Sequence, residues 1–273
     1  MLHPGASGKG PQETVPSLTT GAGAKRTDRN YAQLALFYDR LMQGIDYEAW
    51  VSYIEEIVSQ SRGQIGAVAD LACGTGNSSL PWAARGYRTF GVDLSAEMLE
   101  IARAKMEARG LAVTFLQQDI CDLQLDLPVD LAVCFQDGFN YIVKIEDLRR
   151  AFQAVYRNLG PGGLFIFDLN YLPRIVSSNQ SVALVQEDGF TMNWQAEYHE
   201  PESIWSIEVS GLIEDGNSRR QYREQHRERV YEPYEAWSLL AEQGFTSLHS
   251  YQAFTFEHPH DQSPRIVYVA QKI

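Results

Sequence analysis

The stretch Val68-Ala69-Asp70-Leu71-Ala72-Cys73-Gly74-Thr75-Gly76-Asn77 decides how this chain folds. Its apolar lead-in is the pattern of a parallel strand buried on both faces. Gly74 and Gly76 then let the backbone turn sharply, and a helix is expected from about Ser78. A turn without Cβ atoms lets a ligand lie against the main chain, with the free N–H groups of the new helix pointing toward it. Glycine turns also arise for conformational reasons alone, so the next segment carries the decision. Arg88-Thr89-Phe90-Gly91-Val92-Asp93 reads as a second strand ending in a carboxylate, 17 positions beyond Gly76, and Ser95 opens a helix with Met98 and Leu99 on one face. In a doubly wound sheet this spacing sets an acid beside the glycine turn, where it can accept both hydroxyls of a ribose.

A dinucleotide turn would carry a third glycine three residues after Gly76, where Ser79 stands, and no Lys-Ser or Lys-Thr follows to make a phosphate-gripping loop. A ribose acid remains, without phosphate machinery. At this point Asp70-Leu71-Ala72-Cys73-Gly74-Thr75-Gly76 followed by Gly91-Val92-Asp93-Leu94-Ser95-Ala96-Glu97-Met98-Leu99 resembles the class I S-adenosylmethionine-dependent methyltransferases. Gln118-Asp119-Ile120 and Leu159-Gly160-Pro161-Gly162-Gly163-Leu164-Phe165 extend the resemblance, which covers roughly residues 66–170 in family order. It implies an α/β fold with a doubly wound, Rossmann-like sheet, mostly parallel with an antiparallel last strand. S-adenosyl-L-methionine is the implied cofactor.

Composition agrees with an ordinary globular chain: 273 residues, 44% apolar and 21% charged, enough for one catalytic domain and an elaboration. No apolar run approaches the length of a membrane span, and no signal-like N-terminus is present, so a cytoplasmic location is expected. A net charge of −12 disfavours tight binding to nucleic acid and favours a small-molecule acceptor. Cys73, Cys121 and Cys134 form no Cys-x-x-Cys pair and read as buried hydrophobes. His258-Pro259-His260-Asp261 has metal-like residues but no distant partners, and reads as a solvated loop, so no metal site is expected.

Residues 1–30 lack apolar periodicity and read as a flexible tail; 31–62 read as a helical cap, with helices at 31–40 and 46–61. Strands are expected near 66–71, 87–92, 112–117, 129–135 and 163–168, with helices near 77–85, 95–109 and 146–158 and helix exits at Gly86, Gly110 and Gly160. Residues 63–170 and 231–273 thus form the cofactor-binding domain. Between them, 171–230 carries three alternating segments, at 190–198, 204–214 and 219–231, separated by turn residues: an antiparallel β meander placed to roof the pocket, to pair two chains as a homodimer, or both. A helix after Pro233 and strands at 245–256 and 265–270 complete the sheet.

The resemblance implies roles for single residues. Tyr31-Ala32-Gln33-Leu34-Ala35-Leu36-Phe37-Tyr38-Asp39-Arg40-Leu41-Met42 is similar to the cap of small-molecule methyltransferases, in which a tyrosine closes over the cofactor's amino-acid end; Tyr31 or Tyr38 would do so. Asp70 would organise the methionine ammonium, Ala72, Gly74 and Gly76 would approach that end, and Asp93 would hold the ribose beside Leu94 and Met98. Asp119 and Ile120 would receive the adenine. The fourth strand ends in Cys134-Phe135-Gln136-Asp137-Gly138-Phe139-Asn140-Tyr141, where Phe135 and Gln136 would line the cofactor and Asp137, Asn140 and Tyr141 would face the acceptor. This segment lacks the Pro-Pro that DNA and protein-glutamine methyltransferases carry. With the cap and the meander it resembles the sugar-amine N-methyltransferase group, although Tyr141 stands where that branch commonly has a histidine. Tyr222, Glu224 and His226 share one strand face, and His226 is a candidate proton acceptor if that face looks into the pocket. The arginines and glutamates interleaved along 219–229 read as cross-strand ion pairs. Two other readings stay open: an RNA or protein methyltransferase with the meander as docking surface, and a non-catalytic S-adenosylmethionine-binding regulatory protein.

Overall fold

The computed structural model describes residues 34–60, 65–171, 180–187, 189–215 and 218–273. Two cap helices, α1 (Ala35–Leu41) and α2 (Tyr47–Ser59), lead into β1 (Ala67–Leu71), α3 (Ser79–Ala84), β2 (Arg88–Asp93), α4 (Ala96–Ala108), β3 (Val113–Gln117) and β4 (Val129–Cys134). α5 (Ile145–Asn158) and β5 (Leu159–Asn170) follow; then come β6 (Gln180–Glu187), β7 (Phe190–His199), β8 (Ile204–Asp215), β9 (Ser218–Arg229), α6 (Pro233–Glu242), β10 (Phe245–Gln252) and β11 (Arg265–Lys272). The starts of α2 and α4 are capped by side chains. Asp46 accepts from the Ala49 N–H at 2.9 Å, and Ser95 from the Met98 N–H at 3.2 Å.

The main sheet has the order β10-β11-β5-β4-β1-β2-β3. β1 to β5 pair in parallel, and β11 runs antiparallel between β5 and β10, as expected of the last strand. Alternate residues serve opposite faces. Val68, Leu131, Val133, Leu164 and Ile166 pack with Trp82 and the α2 residues Trp50, Ile54 and Ile57. Ala69, Ala132, Phe165 and Phe167 pack with Leu148, Phe152 and Val155 of α5 and Leu240 of α6. Each buried Val, Leu, Ile or Phe among them contributes roughly 1.5–3 kcal/mol. Because the chain leaves β1 outward to β2 and β3 and returns to β4 on β1's other side, a crevice opens between the C-terminal ends of β1 and β4.

Two expectations need correction. The insertion is a four-stranded antiparallel sheet, β6-β7-β8-β9, so one strand more than the three read from alternation. Gly160 does not end a helix: α5 stops at Asn158 and β5 begins at once, with the irregular backbone displaced to Gly162 at φ 77° and a register shift against β4 between Val129 and Leu131. Gly86 and Gly110 do mark helix exits, at φ 87° and 64°. Among the described residues no helix is long and apolar enough to cross a membrane.

Candidate active site

The mouth of the crevice holds a cavity of about 170 Å³ lined by residues from six segments, among them Tyr38 of α1, Ala72 and Gly74 of the glycine turn, and Asp93 and Leu94 after β2. Met98 of α4, Asp119 and Ile120 after β3, and Phe135, Gln136 and Tyr141 after β4 complete the expected wall; Ser95, Gln118, Gly138 and Ile142 also line it, although sequence reading gave them no role.

Asp93 is the keystone of the turn. One carboxylate oxygen accepts the Gly74 N–H at 2.8 Å and the other the Ser95 N–H at 2.9 Å. Each oxygen keeps acceptor capacity for a further donor. Burial raises its pKa, and the backbone donors act against that rise. Asp119 accepts the Cys121 N–H at 2.9 Å through one oxygen, capping the short 3₁₀ turn Ile120–Asp122. Phe135 is fixed by stacking on Trp50 with ring centroids 5.2 Å apart.

Asp70 and Gly76 stand outside the wall. Asp70 is fully buried under the turn, where one oxygen accepts the hydroxyls of Ser78 at 2.7 Å and Ser79 at 2.5 Å. Its other oxygen has no hydrogen-bond partner, and burial pushes the carboxyl up to about 7. Gly76 does not line the cavity; its φ of 77° makes the turn, and a Cβ there would also lie 3.1 Å from Ala102 Cβ and 3.2 Å from Met106 Cε of α4. Tyr31 lies outside the described residues. Tyr38 is held over the cavity because Asp39 anchors α1 to the turn, accepting from Thr75 Oγ1 at 2.6 Å and Asn77 Nδ2 at 3.0 Å and pairing with Lys105 at 2.7 Å. Neither Asp39 nor Lys105 carried a sequence signal.

A second chamber of about 410 Å³ adjoins the first, and Tyr38, Gln136 and Tyr141 line both. Its roof is the meander, with Met192 and Trp194 of β7, Trp205 and Ile207 of β8, and His226 and Glu228 of β9. The face of β9 bearing Tyr222, Glu224 and His226 therefore does look inward. His226 lies edge-on to Tyr141, centroids 5.9 Å apart, and 3.3 Å from Glu224, whose other oxygen accepts the Leu34 N–H at 3.1 Å. Asp137 lines the chamber from a left-handed backbone position shared by Gln136, at φ 57° and 58°. Two successive strained residues at a strand end are typical of functional loops. Asn140 is a correction: it is 1% exposed and lines neither cavity. Its amide donates to the Arg229 and Asn170 carbonyls at 2.8 and 3.3 Å and accepts from the Asn170 N–H at 3.0 Å, bracing the loop against β5 and β9.

The ion-pair reading of β9 holds on its outer face, where Arg219, Arg223 and Arg227 meet Glu214, Glu208 and Glu202. It fails for Glu228, which faces the chamber, bonded to the Tyr141 side chain. The period-two face of Tyr222, Glu224 and His226 extends to Glu228, and that was the available signal.

Residues 68–163 match the methyltransferase domain family. A protein of Geobacillus sp. (strain WCH70) that carries a methyltransferase name is 33% identical, over 89% of this chain and 99% of its own length. The crystal structure of an S-adenosylmethionine-dependent methyltransferase from Clostridium acetobutylicum ATCC 824 superposes with a TM-score of 0.79 at 29% identity, covering 89% of this chain and 98% of that one. The chain is an S-adenosylmethionine-dependent methyltransferase. A further relative, the dTDP-3-amino-3,4,6-trideoxy-alpha-D-glucopyranose N,N-dimethyltransferase of Streptomyces venezuelae, is 27% identical over 68% of this chain and 70% of that one.

The residues of this methyltransferase fit the cofactor. Asp93 offers two carboxylate oxygens to a diol, and the partnerless oxygen of Asp70 is a buried acceptor suited to a cation arriving beside the end of β1. In the free methyltransferase the raised carboxyl of Asp70 holds its proton up to about pH 7. Since unfolding returns it to the ordinary range, Asp70 lowers folded-state stability as pH rises from about 4 to 7. A bound ammonium reverses that cost by favouring the ionised form. Affinity for S-adenosylhomocysteine is therefore expected to be about tenfold weaker at pH 6 than at pH 8, and Asp70→Asn to flatten the profile, as calorimetric titration across that range would read. An unchanged slope in the variant would move the effect to another group.

Proposed function

We propose that the chain transfers a methyl group to nitrogen of a small molecule held in the second chamber. The observation that carries this reading is the shared wall: Tyr38, Gln136 and Tyr141 separate two cavities, one beside the ribose acid and one closed over by the chain's own meander. A chamber of about 410 Å³ is in the range of small-molecule sites. Relatives named as amino-sugar N,N-dimethyltransferases support nitrogen as the atom methylated.

When bound, S-adenosylmethionine supplies an activated methyl group. The protein's part is alignment and exclusion of water, which together can contribute on the order of 7–11 kcal/mol to the barrier. Asp93, Asp119 and Ile120 would hold the nucleoside, the Asp70 carboxylate would favour the amino-acid end from beneath the turn, and Tyr38 would close over it. Asp137, Tyr141 and His226 would face the acceptor, with residues 171–230 as the lid. A homodimer through this sheet, supported by its edge strands β6 and β9, and a cytoplasmic location belong to the same proposal.

The test is incubation with S-adenosylmethionine and two fractions of a cell extract, one below and one above the size of small metabolites. Mass spectrometry is expected to find new species heavier by one CH₂, on nitrogen, in the small fraction. Methylation confined to RNA or protein would overturn the reading.

A further inference from the structure

Resting on the reading that the second chamber receives the acceptor, we propose that Glu228 binds the acceptor nitrogen and takes its proton, and that the acceptor is an apolar amine without phosphate groups. Charge points this way first. Asp137, Asp168 and Glu228 surround a single guanidinium, that of Arg265, which is already engaged by Asp137 at 2.7 Å and by Asp168. Among the described residues lining the chamber Arg265 is the one Arg or Lys, so a pyrophosphate entering here would meet carboxylates and no available cation. A cationic amine would balance the cluster.

The remaining wall states the rest of the molecule. Trp194, Trp205, Met192, Ile207 and Val209 present aromatic and aliphatic surface, which favours an apolar body and, through the indoles, a cation. Trp205 is the cross-strand partner of Glu228, which sets its indole on the same face of the sheet as that carboxyl, at the chamber wall.

Position gives Glu228 its role. Its carboxyl is bonded to Tyr141, which lies on the wall between the two cavities, so a nitrogen held by Glu228 lies next to the cofactor cavity. The groups facing it are Asp137 and Tyr141 from the loop after β4, His226 of its own strand and Arg265 of β11. Burial, reinforced by Asp137, raises the Glu228 carboxyl to about 8, with Tyr141 and Arg265 acting in the opposite sense. A carboxyl raised in this way is a stronger base toward an ammonium than an ordinary carboxylate, so proton transfer becomes more accessible. Glu228 would take one proton from the ammonium. The freed nitrogen lone pair then bonds to the methyl carbon as the carbon–sulfur bond breaks, its electron pair staying on sulfur; Glu228, whose own proton left to solvent when the ammonium bound, ends the step protonated as it began.

The probes are 2-phenylethylamine, the isosteric 2-phenylethanol and thymidine diphosphate, each titrated calorimetrically into protein saturated with S-adenosylhomocysteine. The amine is expected to bind about tenfold or more tighter than the alcohol, and thymidine diphosphate more weakly than either. Glu228→Gln is expected to bring amine and alcohol within about threefold of one another while S-adenosylhomocysteine binding stays unchanged. Titration of the wild type at pH 7.5 in two buffers of different ionisation enthalpy should show a proton released on amine binding and none on alcohol binding; this holds the test even if the variant folds poorly. Equal affinities, a preference that survives Glu228→Gln, absence of proton release, or tighter binding of the diphosphate would each overturn the proposal. Failure of the wild type to bind S-adenosylhomocysteine would instead overturn the functional reading beneath it.

Discussion

Asp93→Ala is expected to weaken S-adenosylhomocysteine binding from the micromolar range by at least about a hundredfold, with calorimetric titration as the measurement. Two effects add. The variant loses a carboxylate able to accept two ribose hydroxyls, each bond worth roughly 1.5–3 kcal/mol when the acceptor is charged. It also leaves the Gly74 and Ser95 N–H groups without the acceptor that now holds them at 2.8 and 2.9 Å, so the turn itself loosens. Asp93→Asn separates the two contributions, because one amide oxygen can keep one backbone bond. Wild-type-like affinity in Asp93→Ala, with circular dichroism showing a folded protein, would remove Asp93 from the ribose site and with it the orientation of the cofactor.

Gly138→Ala is expected to damage the same site through shape alone. A Cβ at Gly138 would stand 2.6 Å from Cys134 Sγ and 2.8 Å from Ala72 Cβ. Cys134 is fully buried at the end of β4, and Ala72 holds the turn at φ 54°, so neither has room to withdraw. Overpacking of this kind costs about 1–3 kcal/mol, which for a chain of this size lowers the melting temperature by about 2–5 °C. Since both Gly138 and Ala72 line the cavity proposed to hold the cofactor, S-adenosylhomocysteine affinity should fall by about tenfold as well. A variant with unchanged melting temperature and affinity would show that the two strand ends move apart freely, contrary to the packing described.

Much of the cofactor half was readable because its signals are local. A glycine turn after an apolar run, an acid at the end of the next strand and an N-capping serine are each set by a few neighbouring residues, and the cavity wall contains Ala72, Gly74, Asp93, Leu94, Met98, Asp119, Ile120, Phe135 and Gln136. Where local reading misplaced a residue, packing gave the reason. Gly76 serves the turn and the approach of α4, Asn140 is consumed by three backbone hydrogen bonds, and Asp70 is buried beneath the turn against Ser78 and Ser79. Asp39, separated by 36 residues from Thr75 and joined to it in space, had no pattern by which to be found.

The sequence by itself determined the sheet, its helices on both faces and the carboxylate beside the glycine turn, because hydrophobic period and turn chemistry are short-range properties of the chain. Only the tertiary structure decided what faces the acceptor chamber. Asp137, Glu228 and Arg265 come from three distant segments and acquire meaning as one charge cluster when the meander folds down over the crevice. An alternating strand fixes which residues share a face but leaves open whether that face meets water or another layer, and that choice rests on long-range packing.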